Sequence, residues 1–149
     1  RRVLFRSDCG LSDLADIMRK PIARNNLAQF FAIPIFGAKD IFITKKLWLR
    51  AEKRFLSFNE LVNSSLWEGK FSDQFAAAGV EVIDNTSDEI LALTEELHLR
   101  SAGEWRGEDG DEERQHKFWS ILAEAGKIKL PVKPRIGALF LRQNLELLR

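Results

Sequence analysis

The stretch that decides the fold is GVEVIDNTSDEILALTEEL, Gly79–Leu97. Val80, Val82 and Ile83 make Val80–Asp84 the best strand candidate in the chain, because β-branched side chains suit a pleated, half-buried surface. Asn85 turns the chain. Thr86-Ser87-Asp88-Glu89 then has the spacing of a capping box: the threonine hydroxyl can accept the N–H three residues on, while the glutamate reaches back to the threonine N–H. Ile90, Leu93, Thr94 and Leu97 share one face of the helix that follows. A strand that turns straight into a capped helix is the unit of an α/β fold, and this strand is expected in a parallel sheet.

Upstream of this unit, Phe71–Ala78 reads as a short helix that stops at Gly79, a natural left-handed terminus. Before it, Ser57-Phe58-Asn59-Glu60 is another capping box, with Leu56 and Leu61 as a hydrophobic staple, and a helix is expected from Phe58 to about Leu66. Asp40–Thr44 is a weak strand candidate. Leu27–Lys39 is apolar and aromatic without a clean period, and reads as a partly buried loop. Pro21–Asn25 reads as a short strand, with proline where a missing N–H is tolerated. Leu11, Leu14, Ala15 and Met18 recur at helical spacing from Gly10 to Lys20.

Downstream, the acidic run Glu108, Asp109, Asp111, Glu112 and Glu113 precedes a helix carrying Phe118, Trp119, Ile121 and Leu122. Its carboxylates complement the helix dipole, and it reads as a solvated cap rather than a calcium loop, because EF-hand ligand spacing is absent. Gly126 ends that helix, Pro131 and Pro134 mark a linker, and Ile136–Leu148 is expected to be a last helix.

The chain has 149 residues, 45% of them hydrophobic and 30% charged. That suffices for one domain with a real core. No apolar run is long enough to span a membrane, and the start lacks the features of a signal peptide. The single cysteine excludes an internal disulfide and fits a reducing, cytoplasmic setting. Residues 1–7, RRVLFRS, match a common sequencing adapter translated in frame and are set apart as an artefact. The native chain is then expected to begin upstream of Asp8. Without Arg1, Arg2 and Arg6, the 23 basic residues against 22 acidic ones become 20 against 22, a net of −2. No basic face is left to suggest a nucleic-acid partner.

The strongest candidate for chemistry is Ser7-Asp8-Cys9-Gly10-Leu11-Ser12. A small, glycine-containing turn entering a helix at the sheet's C-terminal edge points free N–H groups at an anion such as a diphosphate. An ordinary helix cap by Asp8 or Ser7 is the competing reading. Asn25 and Asn26 end the next strand at the same edge, where they would meet a sugar or ribose hydroxyl or simply make a turn. Asp84, Asn85 and Thr86 occupy the corresponding place after the later strand. Cys9 reads as a small buried hydrophobe, since no histidine lies near it in sequence. His98 and His116 are too scattered for a metal site or a triad. Lys45 and Lys46, beside Trp48, would either meet phosphate or lie on the surface.

Six stretches in order, SDCGLSDLADIMRKPIARNN, DIFITKKLW, RFLSFNELV, AAGVEVIDNTSDEILALTEEL, EWRGEDGDEERQHKFW and PRIGALFLRQNLELL, carry a resemblance. Together they resemble the C-terminal part of a family of bacterial glycosyltransferases of surface-carbohydrate synthesis. The resemblance implies a GT-B-like enzyme of two Rossmann-like domains. Residues 8–126 would be part of the nucleotide-sugar-binding domain, and 127–149 a linker and helix packed on it. It further implies a nucleotide-sugar donor, a carbohydrate or lipid-linked acceptor, and no cofactor or essential metal. The diphosphate would sit on Ser7–Ser12, although Asp8 and Cys9 stand where small hydroxyl residues are usual in the family. A general base would come from the first domain, so the chain alone is expected to be inactive. Two other readings compete: a sugar-nucleotide epimerase or polyol-phosphate transferase of similar build, and a non-enzymatic module binding partners through Trp105, Phe118 and Trp119.

Overall fold

The computed structural model describes residues 4–7, 17–18, 20–35, 37–69, 72–129 and 134–149. Four strands, β1 (Leu4–Ser7), β2 (Ile22–Leu27), β3 (Ile41–Thr44) and β7 (Arg135–Ile136), form one sheet in the order β1-β2-β3-β7. Every pairing in it is parallel. A second sheet, order β5-β4-β6, joins β4 (Lys46–Leu49), β5 (Arg54–Phe55) and β6 (Val80–Ile83) by antiparallel pairing. Among the described residues, the α-helices are α1 (Phe58–Val62), α2 (Ser72–Ala77), α3 (Ser87–Ala102), α4 (Asp111–Glu124) and α5 (Ala138–Gln143).

β3 is one of the two inner strands of the parallel sheet, and all four of its residues are buried. Alternation along the strand explains this. Phe42 meets Phe118 and Trp119 of α4, with ring centroids 6.0 Å away in each case. Ile43, pointing the other way, lies beside Gly137 and Leu93 of α3. Both faces are covered by helices, the usual setting of a parallel strand, and that is why IFIT reads as a continuous apolar run rather than an alternating one. The aromatic layer extends through Phe58, whose ring stands edge-on to Phe118 at 4.9 Å.

The α/β class is as expected, but several elements sit elsewhere. Val80–Ile83 does not join the parallel sheet. It pairs antiparallel with Lys46–Leu49, placing Lys46 opposite Ile83 and Leu49 opposite Val80. Strand character and a helix downstream are local properties, whereas the partner strand is set by chain segments that neither specifies. The backbone of Leu4–Ser7 pairs with Ile22–Asn25, occupying the edge of β2 that would otherwise be open. The expected loop at Leu27–Lys39 contains a 3-10 helix at Phe30–Ile35. The expected last helix is divided. Arg135–Ile136 is a strand, Ala138–Gln143 is helical and Leu145–Leu148 is a 3-10 turn. Likewise the helix expected from Phe58 ends at Val62, and Ser65–Glu68 is a separate 3-10 turn capped by Ser64.

Both capping boxes form. Ser57 and Glu60 close one, Thr86 and Glu89 the other. Gly79, Gly103 and Gly126 all adopt positive φ after a helix, where a side chain would be strained. The acidic run is more than a solvated cap. Asp111 is 4% exposed and takes both arms of the Arg142 fork, at 2.8 and 2.7 Å, so it clasps the start of α4 to α5. Arg142 also pairs with Glu108. Of the helix expected from Gly10 to Lys20, only Ile17, Met18 and Lys20 fall within the described residues.

Candidate functional site

The strands of the parallel sheet run the same way, so their C-terminal ends form a single edge. Ser7 and Asn25 are register partners there, and Leu27 pairs with Thr44 one strand further on. In open α/β sheets such an edge is where ligands collect. The turn that follows β1, Asp8, Cys9, Gly10, Leu11 and Ser12, lies outside the described residues.

Asn25 is buried to 8% exposure. Its Oδ1 accepts from Asn26 Nδ2 at 3.2 Å, and its Nδ2 has no hydrogen-bond partner among the described residues. Asn26 adopts a left-handed φ of 53°, which asparagine tolerates better than most residues. That turn aims its side chain at Asn85. The two form a reciprocal pair: Asn26 N–H donates to Asn85 Oδ1, and Asn85 N–H to Asn26 Oδ1, both at 2.7 Å. Asn85 Nδ2 also donates to the Thr44 carbonyl at 2.8 Å. Asn26 is therefore occupied with building the edge, and of the two expected contacts Asn25 is the one with a spare donor.

The pair leads into a buried polar cluster. Glu89 accepts from the Thr86 N–H and from Lys46 Nζ, each at 2.8 Å, with Asn85 and Asn144 at 3.5 Å. Burial alone would push the Glu89 carboxyl up, but Lys46 and the Thr86 N–H outweigh it and hold the group below its ordinary value. An ionised carboxylate with these donors around it is a structural anchor and a poor proton acceptor. Glu96 behaves oppositely. Burial pushes its carboxyl up, partly offset by the Ala138 N–H at 2.7 Å and Arg100 Nε at 2.8 Å. Thr44 Oγ1 is buried at the same edge without a hydrogen-bond partner among the described residues.

The lysines expected either to meet phosphate or to lie on the surface are paired instead, Lys46 with Glu89 and Lys45 with Asp84 at 2.6 Å. His98 and His116 are both exposed. Phe118 and Trp119 are core residues at 0% and 7% exposure, and Trp105 carries Arg100 over its ring at 4.8 Å. These aromatics do not make one exposed apolar patch. Sequence reasoning missed Lys46, Glu89 and Asn144 as a cluster, because they lie 43 and 55 residues apart and meet only through the fold. Among the described residues no group of histidine, cysteine and carboxylate side chains is placed to hold a metal, and no helix is long and apolar enough to cross a membrane.

No protein-family model, curated protein or solved structure matches the chain.

Proposed function

We propose that the chain is the donor-binding part of a glycosyltransferase, a partial Rossmann-like C-terminal domain of a GT-B-type enzyme. In this reading the donor is a nucleotide-sugar and the acceptor a carbohydrate or lipid-linked hydroxyl. The setting is surface-polysaccharide synthesis on the cytoplasmic side, with no cofactor. The observation that supports it is Asn25 at the C-terminal edge of an all-parallel sheet, where the native residues from Asp8 onward follow the neighbouring strand. The resemblance puts the diphosphate on Ser7–Ser12, and Asn25 Nδ2, one strand away, has no hydrogen-bond partner among the described residues.

In the reaction the bond between the anomeric carbon and the diphosphate oxygen breaks while the acceptor oxygen bonds to that carbon. Charge develops on the leaving diphosphate, and backbone N–H groups of Asp8–Ser12 would stabilise it electrostatically. The resemblance implies that the acceptor proton would pass to a base supplied by a second domain; Glu89 is engaged by the Thr86 N–H and Lys46 and is not free to take it.

The test is a panel of nucleotide-sugars incubated with the full-length parent enzyme, with and without oligosaccharide or lipid-linked acceptors. Sugar transfer that depends on acceptor supports the reading. Donor epimerised with no acceptor present would sink it in favour of the epimerase. The present chain alone is expected to bind donor without turnover.

A further inference from the structure

We infer, on the donor-site reading above, that Asn26 is a positioning residue. It fixes which end of the Asn25 amide is free, so that this edge selects a ligand oxygen that only accepts hydrogen bonds, a phosphate oxygen of the diphosphate.

Main-chain groups set the polarity, because an N–H can only donate and a carbonyl can only accept. The Asn85 N–H donates to the Asn26 side chain at 2.7 Å, so the oxygen of that amide must face it. The Asn26 nitrogen then turns toward Asn25, whose Oδ1 accepts from it at 3.2 Å. With Oδ1 engaged, Nδ2 is the free end of the Asn25 amide. A flipped Asn25 would set two NH2 groups against each other and leave Asn26 Nδ2 without its acceptor. Asn85 is pinned by the same logic. Its Oδ1 accepts from the Asn26 N–H at 2.7 Å, and its Nδ2 donates to the Thr44 carbonyl at 2.8 Å. The pair therefore holds its orientation from β2, β3 and the turn after β6 together.

The free end is reachable. Asn25 is 8% exposed, and its Nδ2 is not among the side-chain atoms that are both partnerless and shut off from solvent. It is a donor in a nearly buried place with surface left for a ligand. A hydroxyl can donate or accept and has no need of a fixed amide polarity. A deprotonated phosphate oxygen only accepts, and a hydrogen bond to it is charge-assisted. Asp84 and Glu89 are matched by Lys45 and Lys46, which blunts their repulsion of an anion.

The experiment has a ligand-free and a ligand-bound arm, both on the ¹⁵N-labelled chain. Without ligand, one Hδ2 proton of Asn26 should be protected from exchange, while both of Asn25 exchange freely. In Asn26→Asp the carboxylate still accepts from the Asn85 N–H but has nothing to donate, so an Asn25 Hδ2 proton should become protected instead. With inorganic diphosphate, at ionic strength matched by sodium chloride, the Asn25 side-chain amide should shift saturably; with uridine it should not. Neutral Asn26→Gly, which tolerates the left-handed turn, should bind diphosphate roughly tenfold more weakly. The inference alone is overturned by full affinity in Asn26→Gly, by uridine shifting Asn25 as much as diphosphate does, or by protection on Asn25 rather than Asn26 in the wild-type chain. The wild-type protection pattern needs no variant, so the test survives if Asn26→Gly unfolds. No shift at Asn25 with diphosphate also overturns it. The donor-site reading falls with it only if uridine, guanosine and cytidine diphosphates all fail to bind.

Discussion

Replacing Arg142 by alanine tests how the C-terminal helix is fastened. Asp111 is 4% exposed and receives two nitrogens of the Arg142 fork, at 2.8 and 2.7 Å. After Arg142→Ala it keeps the Glu108 N–H at 2.9 Å and Arg114 at 3.1 Å. Breaking a buried ion pair by removing one partner costs about 3–5 kcal/mol, while hydrogen bonds to charged groups are worth about 1.5–3 each. The remaining partners soften the loss, so about 2–4 kcal/mol is expected. Urea denaturation reads this as a midpoint lower by roughly 1–2 M, given slopes of about 1–3 kcal/mol per molar. Arg142 holds the Asp111 carboxyl below its ordinary value, ahead of smaller contributions from the Glu108 backbone N–H and from Arg114. A carboxylate depressed in the folded state adds stability that is present above its unfolded pKa and is lost as pH falls through the folded one. The gap between the wild-type chain and Arg142→Ala should therefore be full at pH 7 and narrow below about pH 4. Arg142→Lys, with charge but no fork, should fall between the two. A gap under about 0.5 kcal/mol at pH 7, or one that does not shrink in acid, would refute the clasp.

Asn85→Ala should cost about 2–3 kcal/mol in chemical denaturation, because it strips acceptor from Asn26 N–H and donor from the Thr44 carbonyl, both buried or nearly so. Thr44→Val should be neutral or stabilising by up to about 1 kcal/mol, since the hydroxyl it removes is buried and unpartnered among the described residues. Gly137→Ala should cost about 1–3 kcal/mol by overpacking: its Cβ would fall 2.9 Å from Ile43 Cγ2 and 3.2 Å from Leu93 Cδ1. Carbon-detected titration should find Glu60 with a pKa down to about 2, held there first by Arg54, and Arg54→Ala should return it toward the ordinary glutamate range.

Local chemistry was legible from sequence wherever a few adjacent residues determine the outcome. Ser57 with Glu60 and Thr86 with Glu89 form the capping boxes that their spacing announces, and Gly79 and Gly126 stop their helices at positive φ. What sequence could not show was pairing at a distance. Val80–Ile83 has strong strand character, yet Lys46–Leu49 makes it antiparallel. Asp40–Thr44 gives only a weak strand signal because a strand buried on both faces has no alternation to display, and Ile41–Thr44 is an inner strand of the parallel sheet. Asp111 looks as solvated as its acidic neighbours in the sequence, because Arg142, 31 residues away, gives no local sign of reaching it. For the candidate site, the strand pattern indicates that Asn25 and Asn26 lie near the C-terminal end of their strand, and Asn25 is there in register with Ser7. Asn26, however, is occupied by Asn85, 59 residues further along the chain.

The central claim is that the C-terminal edge of the parallel sheet receives a nucleotide-sugar diphosphate. Its most direct test is a ¹⁵N titration of the chain with uridine, guanosine and cytidine diphosphates. Saturable shifts are expected for at least one of them at Ser7–Ser12 and at the Asn25 side-chain amide, with binding weakened in Asn25→Ala. Shifts confined to other parts of the molecule, or none at Gly10 and Asn25 with any nucleotide, would contradict it.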